Sequence, residues 1–312
     1  MSPAILLISP VLPELDRQLA ERYTVHRLYQ HPDRDGYLRE HGHGIAGVVT
    51  GGALGISTAM MEQLPALKIV TINGIGTDAV DLAYARRRGI HVTTTPDVLT
   101  ADVADLAIGL AIATLRGLCT GDRYVRGGDW GRKPLALANK FSGKRVGIVG
   151  LGRVGKAIAR RAAAFDCPVS YIDRREHTDL PYQYVSDLLQ LARGSEVLVL
   201  AASADDGKAI VDAAMLDALG PKGVLINIAR GKLVDEDALV QALQQGRIAG
   251  AGLDVFVDEP HVPEALWTME NVVLQPHRAS ATEETRRDMG QIILDNLAAY
   301  FAGERPPTSV TA

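Results

Sequence analysis

Short runs of β-branched and other apolar residues alternate with stretches of helical spacing along the first hundred residues. The apolar runs stand at 4–8, 45–49, 68–72 and 90–93, and the stretches of helical spacing at 13–21, 57–63 and 81–88. Strands that alternate with helices are typical of a parallel sheet covered by helices on both faces. The pattern therefore predicts an α/β fold with three strand–helix alternations and a fourth, short strand.

A second series of apolar runs begins at Val146. Its predicted strands stand at 146–149, 169–172, 197–201, 223–228, 249–255 and 272–274, and predicted helices at 185–191, 212–219, 235–245 and 283–301. Between the two series, residues 97–118 read as one long helix that is apolar on nearly all sides. A helix of that kind is buried, and we expect it at the seam between two domains.

A glycine-rich turn links the first two strands of the second series. Gly150, Gly152 and Gly155 form the pattern GxGxxG. The first glycine permits the tight turn, the second lets a pyrophosphate approach the backbone, and the third lets the helix lie close to the strand. The apolar face of that helix comprises Val154, Ile158, Ala162 and Phe165. An ordinary βαβ turn also contains glycines, but here the next strand ends on a carboxylate, Asp173, which favours a dinucleotide site.

The two series predict two Rossmann-like doubly wound parallel-sheet domains. The last predicted helix reads as a return of the chain to the first domain. We therefore expect a dinucleotide-binding domain at 99–283, inserted into a flavodoxin-like substrate domain at 1–98 and 284–312. Ligands of such folds bind at the carboxyl ends of the strands, so we expect the substrate in the cleft between the domains.

The composition is that of an ordinary globular enzyme, with 47% hydrophobic and 22% charged residues. The net charge of −4 and the lack of a basic stripe argue against nucleic acid as a partner. Two cysteines without CxxC spacing, Cys119 and Cys167, are expected to be buried free thiols in a reducing compartment. Neither a run of membrane-spanning length nor a leader before the first strand is evident, so we expect a cytoplasmic protein. The sequence predicts no metal site.

Three charged residues follow the ends of predicted strands in the second series: Arg230, Glu259 and His277. Taken singly, each has an ordinary interpretation, as a surface cation, a turn residue before proline and a loop histidine. In an open α/β sheet, loops at the carboxyl ends of the strands face the cofactor crevice. The three residues together, after a dinucleotide motif, therefore indicate a catalytic site.

These residues and their surroundings resemble the D-isomer-specific 2-hydroxyacid dehydrogenases. The stretches VGIVGLGRVGKAIA, VLINIARGKLVDEDAL, GAGLDVFVDEP and PHRASATEETR all fit that family, in the order in which they stand here. The stretch GTDAVDLAYARRRGIHVTTTPDVLTADVADLAIGL resembles the branch of hydroxypyruvate, glyoxylate and hydroxyphenylpyruvate reductases, which includes 2-ketogluconate reductases. The resemblance covers nearly the whole chain. It implies NAD(P)H-dependent reduction of a small 2-oxo acid, such as glyoxylate or hydroxypyruvate, to the D-2-hydroxy acid.

The resemblance also implies a role for each of the three charged residues. His277 as an imidazolium donates a proton to the carbonyl oxygen, and Glu259 orients its ring and favours its protonated form. Arg230 holds the substrate carboxylate and polarises the carbonyl. In the first series, the N–H groups of Gly51 and Gly52 are expected to grip the substrate carboxylate, although an ordinary turn explains these glycines equally well.

The residues at the tip of the second strand give conflicting indications of the cofactor. Asp173 suits the ribose hydroxyls and repels a 2′-phosphate, which indicates NAD. Arg174 and Arg175 follow it directly and suit a 2′-phosphate, which indicates NADP. We expect the protein to use NADP(H) and to accept NAD(H) as well. The other residues expected at the cofactor are Val103, Leu151, Arg153, Val154, Ala201, Ile228, Ala229, Asp254, His277 and Ala279, with Asp254 assigned by the resemblance to the nicotinamide carboxamide.

Other members of the superfamily differ from this sequence in particular features. Formate dehydrogenases carry glutamine where Glu259 stands, which argues against formate as the substrate. NAD(H)-sensing corepressors keep the same arginine, glutamate and histidine but carry disordered tails, which the sequence lacks, so we expect an enzyme. Many reductases of the branch are homodimers in which an aromatic residue near position 132 reaches the partner's substrate pocket. We expect a homodimer here too, with Trp130 or Arg132 as the candidate for that contact.

Overall fold

The computed structural model describes residues 2–203 and 208–311. The chain divides into two compact units. One comprises the residues up to Leu99 together with those from Ala281 onward, and the other comprises Thr100–Ser280. Each unit contains one parallel sheet, so the predicted α/β class with two doubly wound domains is confirmed.

Five strands and four α-helices come first in the described part of the first unit. The strands are β1 Ala4–Leu7, β2 Thr24–Arg27, β3 Ile45–Gly51, β4 Ile69–Asn73 and β5 His91–Thr93. The helices are α1 Pro13–Arg22, α2 Arg34–His41, α3 Thr58–Glu62 and α4 Leu82–Arg87. The strand order β2-β1-β3-β4-β5 is the flavodoxin-like one that the sequence predicts. The hydrophobic pattern does not predict β2 or α2, because β2 is an edge strand without a buried residue and α2 has a single one.

In its described residues, the second unit contains seven strands and six α-helices. The strands are β6 Val146–Val149, β7 Val169–Ile172, β8 Gln183–Tyr184, β9 Val197–Leu200, β10 Val224–Asn227, β11 Gly250–Leu253 and β12 Val272–Leu274. The helices are α5 Thr100–Arg116, α6 Leu118–Arg126, α7 Arg153–Ala164, α8 Leu188–Gly194, α9 Ala213–Leu219 and α10 Glu236–Gln244. The order β12-β11-β10-β9-β6-β7-β8 reverses beside β6, which is the Rossmann arrangement.

The prediction of one long helix at 97–118 is wrong at both ends. The helix begins at Thr100 and ends at Arg116. Gly117, with φ of 59°, separates it from α6, and the axes of the two helices are bent by 59° relative to each other. Burial of the apolar positions of α5 is confirmed for Val103, Ile108, Leu110 and Leu115, whereas Leu106 and Ile112 are half-buried. Helix α6 has no buried residue, so its Cys119 is exposed and the prediction of a buried thiol there is wrong. The other cysteine, Cys167, is a buried free thiol, as predicted.

One residue of the predicted apolar face of α7 lies elsewhere. Ile158 and Ala162 are fully buried, but Phe165 is 37% exposed. The reason is that the helix ends at Ala164, so Phe165 leaves the helical face and packs edge-on against Phe141, with ring centroids 5.3 Å apart.

The chain returns to the first unit with α11, Glu283–Phe301. Successive side chains of β1 face opposite sides of the sheet. Ile5 and Leu7 pack in a cluster with residues of α1 and α11, whereas Leu6 packs in the cluster that contains Leu38 of α2. Within the described residues no single helix is long and apolar enough to span a membrane, and the bent pair α5–α6 meets that length and composition only when the two helices are joined.

Candidate active site

His277 and Glu259 form a hydrogen-bonded pair in the second unit. The imidazole Nδ1 of His277 lies 2.6 Å from Oε2 of Glu259. The other carboxylate oxygen, Oε1, accepts a hydrogen bond of 3.1 Å from the backbone N–H of Phe256. Burial raises the pKa of Glu259, but these two hydrogen bonds and the nearby positive charges more than offset it, so the pKa lies below its ordinary value. Glu259 is therefore ionised at neutral pH and fixes the orientation of the imidazole.

Asp254 holds the loop that carries His277. Its side chain is fully buried, and its two carboxylate oxygens accept hydrogen bonds from the backbone N–H groups of Arg278, at 2.8 Å, and Ala279, at 3.0 Å. The backbone carbonyl of Asp254 accepts a third, at 2.8 Å, from the N–H of His277. Burial raises the pKa of Asp254 above its ordinary value despite the two bonds to its carboxylate. His277 has φ of 48°, a region that residues with a side chain rarely adopt, and these bonds stabilise it there.

Arg230 follows β10 in a turn that Asn227 fixes. The buried side chain of Asn227 accepts a hydrogen bond of 3.1 Å from the N–H of Ala229 and donates one of 2.9 Å to the carbonyl of Arg230. The guanidinium Nη1 of Arg230 donates to the carbonyl of Ala229 at 2.7 Å. Its charge also contributes to the lowered pKa of Glu259. The structure thus brings all three predicted catalytic residues into one region of the second unit.

The backbone around Gly231 joins the loops of Arg230 and Glu259, a contact that sequence reasoning does not find. A Cβ atom placed on Gly231 would lie 1.9 Å from the carbonyl carbon of Phe256. Only glycine permits this approach, because any side chain would overlap the backbone of the neighbouring loop. In the sequence, only the asparagine at the end of β10 and the glycine after Arg230 could have indicated this contact. Neither residue type alone specifies a close approach of two loops.

The glycine-rich turn between β6 and α7 fits the pyrophosphate of a dinucleotide. Gly150 has φ of 91°, which glycine adopts without strain. A Cβ atom on Gly155 would lie 2.0 Å from the carbonyl oxygen of Gly150, whereas one on Gly152 would meet nothing within 4 Å. The backbone at Gly152 therefore borders open space that a phosphate can enter. Gly152 is also the N-cap of α7 and has no side chain to cap it, so an anion suits the first N–H groups of the helix.

Asp173 directly follows β7, and its carboxylate accepts three hydrogen bonds. They come from the N–H of Leu151 at 3.2 Å, the N–H of Arg174 at 2.8 Å and the imidazole Nε2 of His177 at 3.0 Å. Burial raises the pKa of Asp173, but these bonds more than offset it, and the pKa lies below its ordinary value. The hydrophobic pattern gives no sign of His177, since it stands in an irregular stretch after the strand.

A surface cavity of about 560 Å³ adjoins Asp173. It collects cationic side chains from the start of α7 and from the tip of β7. Its lining residues are Leu151, Gly152, Arg153, Lys156, Asp173, Arg174, Arg175 and His177. Six of these are predicted cofactor residues, whereas the predicted Gly150, Val154 and Gly155 do not line the cavity. Lys156 and His177 line it without having been predicted.

The remaining predicted cofactor residues also lie in the second unit. Val103 is a buried residue of α5, and the others stand near the carboxyl ends of strands in one sheet. Ala201 follows β9, Ile228 and Ala229 follow β10, Asp254 follows β11, Ala279 lies beyond β12, and Val154 lies in the first turn of α7. Their contacts with a cofactor stay predictions.

Gly51 and Gly52 lie in the first unit, where β3 runs into a tight turn. The N–H of Gly55 donates to the carbonyl of Gly51 at 2.8 Å and closes the turn. A second glycine loop runs alongside, because a Cβ atom on Gly52 would lie 3.6 Å from the carbonyl oxygen of Gly76. Sequence reasoning misses this second loop, 74–76, although it follows β4 as Gly52 follows β3. No group of three or more metal-ligating side chains occurs in the described ranges.

The chain matches a family model along much of its length. The model describes the NAD-binding domain of D-isomer specific 2-hydroxyacid dehydrogenases, and it matches residues 108–279. A glyoxylate/hydroxypyruvate reductase A from Arabidopsis thaliana is 47% identical over 310 residues, which cover 99% of each chain. The chain belongs to the D-isomer-specific 2-hydroxyacid dehydrogenases.

Other members of the D-2-hydroxyacid dehydrogenase family are similar over the whole length. A hydroxyphenylpyruvate reductase from Plectranthus scutellarioides is 46% identical over 96% of each chain. The crystal structure of an NADPH-dependent glyoxylate/hydroxypyruvate reductase from Sinorhizobium meliloti, in complex with NADP and malonate, has a TM-score of 0.90 and 40% identity. It covers 99% of this chain and 97% of its own. The predicted family, and the similarity to its reductase branch, are confirmed.

Proposed function

We propose that the protein reduces a small 2-oxo acid to the D-2-hydroxy acid with NAD(P)H. The observation that carries the proposal is the pair of His277 and Glu259, with Nδ1 and Oε2 2.6 Å apart. Because Nδ1 is engaged by the carboxylate, the second ring nitrogen, Nε2, is the one that faces a substrate. A histidine held in this way is suited to proton transfer to a carbonyl oxygen.

Each residue of the constellation has a separate task in this reaction. The bound nicotinamide supplies the hydride. His277 donates the proton from Nε2 to the carbonyl oxygen, and the ionised Glu259 stabilises the imidazolium before the transfer. Arg230 binds the substrate carboxylate through its forked guanidinium and draws electron density from the carbonyl. The N–H groups of Gly51 and Gly52 supply further donors for the carboxylate.

We assign NADP(H) as the cofactor, with NAD(H) also used. The cavity beside Asp173 contains Arg153, Lys156, Arg174 and Arg175, which favour a 2′-phosphate. The NADPH-dependent relative with bound NADP supports the same choice. Asp173 suits the ribose hydroxyls of NAD(H), which is why both cofactors are expected.

Glyoxylate and hydroxypyruvate are the substrates that we propose first, on the similarity to the Arabidopsis and Sinorhizobium reductases. Hydroxyphenylpyruvate is the alternative that the Plectranthus relative supports at nearly the same identity. Reduction of 2-ketogluconate is a further alternative from the branch resemblance. The choice among them depends on the size of the substrate pocket, to which Trp130 or Arg132 of a partner chain would contribute.

The domain roles and the assembly belong to the same proposal. Residues 99–283 bind the dinucleotide, and residues 1–98 with 284–312 bind the substrate. The family description of 108–279 as an NAD-binding domain supports the first assignment. We further propose a cytoplasmic homodimer. Exposed apolar side chains on and after α6 support the dimer, among them Leu118, Val125, Trp130, Leu135 and Leu137.

A panel of 2-oxo acids tests the function. Oxidation of NADPH and of NADH is followed at 340 nm with glyoxylate, hydroxypyruvate, hydroxyphenylpyruvate and 2-ketogluconate. The proposal requires turnover of at least one of these acids, with a higher kcat/KM for NADPH than for NADH. Binding of the reduced cofactor without turnover of any of them would favour an NAD(H)-sensing protein and overturn the proposal.

A further inference from the structure

The carboxylate of Asp173 has little capacity left for a ribose. An ionised carboxylate offers about four lone-pair positions, two on each oxygen. Oδ1 accepts from the N–H of Arg174, and Oδ2 accepts both from the N–H of Leu151 and from Nε2 of His177. Oδ2 is therefore saturated, and one position on Oδ1 is left. A carboxylate that binds adenosine in an NAD-dependent enzyme accepts from the ribose hydroxyls, and His177 occupies the place that one of them needs.

The position of His177 is built into the fold rather than left to a mobile side chain. Its backbone N–H donates to the phenolic oxygen of Tyr171 at 2.7 Å, and Tyr171 is fully buried in β7. The imidazole is 12% exposed and lies 6.0 Å, centroid to centroid, from the Tyr171 ring. The backbone bond to a core residue fixes the main chain at His177, and the hydrogen bond from Nε2 holds the ring at Asp173.

The surroundings of the pair suit a phosphate. Arg153, Lys156, Arg174 and Arg175 line the same cavity as Asp173 and His177. In NAD-dependent proteins the carboxylate at this position repels a 2′-phosphate. Here the imidazole Nε2–H of His177 donates to the carboxylate of Asp173. This hydrogen bond partly compensates the negative charge of the carboxylate and so reduces its repulsion of a phosphate in the cavity.

We propose that His177 is a specificity-determining residue, which makes Asp173 compatible with the 2′-phosphate of NADP(H) and less able to bind the ribose of NAD(H). The inference rests on the proposed use of NAD(P)H and adds the residue that sets the choice. It explains how a chain with an NAD-type aspartate at the end of β7 takes the phosphorylated cofactor.

Binding of adenine nucleotides without a nicotinamide tests the proposal apart from catalysis. Calorimetry gives the Kd of adenosine 2′,5′-bisphosphate and of 5′-AMP for the wild type and for His177→Phe, which keeps the ring and the backbone bond to Tyr171. The affinity for the bisphosphate divided by that for 5′-AMP is the nucleotide ratio. We expect it to be about tenfold lower in His177→Phe, since a charge-assisted hydrogen bond to Asp173 is lost. The ratio kcat/KM for NADPH over NADH should fall in the same direction.

A double-mutant cycle distinguishes action through Asp173 from a general effect of the substitution. In an Asp173→Asn background, which lacks the carboxylate charge, His177→Phe should leave the nucleotide ratio nearly unchanged. His91→Phe is the matched control, because it removes an imidazole whose Nδ1 lies 3.2 Å from Oγ of Ser309 in the other unit. It should leave the ratio as in the wild type.

The outcomes separate this inference from the proposed function. An unchanged ratio in folded His177→Phe, or an equal effect with Asp173→Asn present, would overturn the role of His177 even if the protein reduces 2-oxo acids. A shifted ratio in a protein that reduces none of them would support the role of His177 while the proposed reaction fails. If His177→Phe does not fold, His177→Leu, which also lacks a donor, replaces it, and the same coupling to Asp173 is required.

Discussion

At the scale of single residues, the two oxygens of Glu259 divide the work. One orients the imidazole of His277, and the other accepts the N–H of Phe256 in its own loop, so the carboxylate is itself held in place. The carboxylate of Asp254 holds the loop that carries His277, because it accepts the N–H groups of Arg278 and Ala279. A proton donor needs this fixed geometry, because proton transfer requires hydrogen-bond distance to the substrate.

Glu259→Gln should move the pH profile for reduction toward acid. The lowered pKa of Glu259 means that its negative charge is present throughout the neutral range and favours the imidazolium. Without that charge, the protonated donor persists only to a lower pH, so the basic limb of kcat against pH shifts down. The ionised Glu259 also stabilises the folded protein. This contribution is fully present above the ordinary carboxyl pKa and is lost as the pH falls through the lowered pKa of Glu259 in the folded state. The exposed Glu264 provides the control, Glu264→Gln, and an unmoved basic limb in Glu259→Gln would remove Glu259 from the mechanism.

Arg230→Lys should raise KM for the oxo acid and lower kcat together. An ammonium is a point charge and cannot make a forked pair with a carboxylate while it polarises a carbonyl. KM for NADPH should change little in steady-state measurements at saturating oxo acid. Arg247→Lys, at a surface pair with Asp217, is the matched control. A loss restricted to cofactor affinity would place Arg230 at a phosphate or a ribose instead.

At the scale of elements, the strand–turn–helix β6–α7 contains two glycines, Gly152 and Gly155, that are needed for different reasons. Gly155 is required by packing, since a side chain there would overlap the carbonyl of Gly150, whereas Gly152 borders open space. The first demand concerns folding and the second concerns the ligand. A substitution at Gly152 therefore tests the phosphate site without testing the fold.

Gly152→Ala should keep the thermal midpoint of unfolding within a few degrees and weaken NADPH binding by about tenfold or more. The added methyl group meets no protein atom within 4 Å, and φ of −68° suits alanine. It enters the space that the pyrophosphate needs. Fluorescence titration of NADPH gives the Kd, with Gly194→Ala, where a Cβ is also unobstructed, as the control. Unchanged NADPH affinity in folded Gly152→Ala would show that no phosphate lies against this turn.

The sequence predicts elements well where burial is periodic and poorly where it is not. Helix α11 has the predicted bounds, and β12 does too, because both are bounded by clear breaks in the apolar pattern. Strand β2 lacks buried residues, and Gly117 ends α5 through a backbone conformation that the apolar pattern does not encode. The same limit holds in the site, where chemistry marks Arg230 and His277. Neither chemistry nor periodicity indicates that Asn227 supports the turn of Arg230 or that His177 binds Asp173, since those contacts arise only when separate stretches of backbone fold together.

At the scale of the whole molecule, the predicted homodimer has a physical consequence for the exposed segment after α5. Leu137 is fully exposed, and Trp130 is 77% exposed, which is unusual for residues of this size. Burial in a partner would remove these apolar surfaces from water. The same segment would then bring Trp130 or Arg132 to the partner's substrate pocket.

Sedimentation equilibrium should give twice the mass of the chain. Leu137→Glu should shift the protein toward the monomer, because a carboxylate in an apolar interface costs several kcal/mol when it has no partner. Val310→Glu, at an apolar residue that is also exposed but stands in the other unit, should leave the dimer intact. A wild-type protein that sediments as a monomer at micromolar concentration would contradict the predicted assembly.

The most direct test of the central claim is the product formed by the wild type and by His277→Asn. Hydroxypyruvate and NADPH are incubated with each protein, and chiral chromatography measures the glycerate formed. The wild type should produce the D isomer. His277→Asn should bind NADPH almost as tightly and form the product about 10² to 10⁴ times more slowly, the usual contribution of a positioned acid. An L product from the wild type, or a near-normal rate from His277→Asn, would contradict the account.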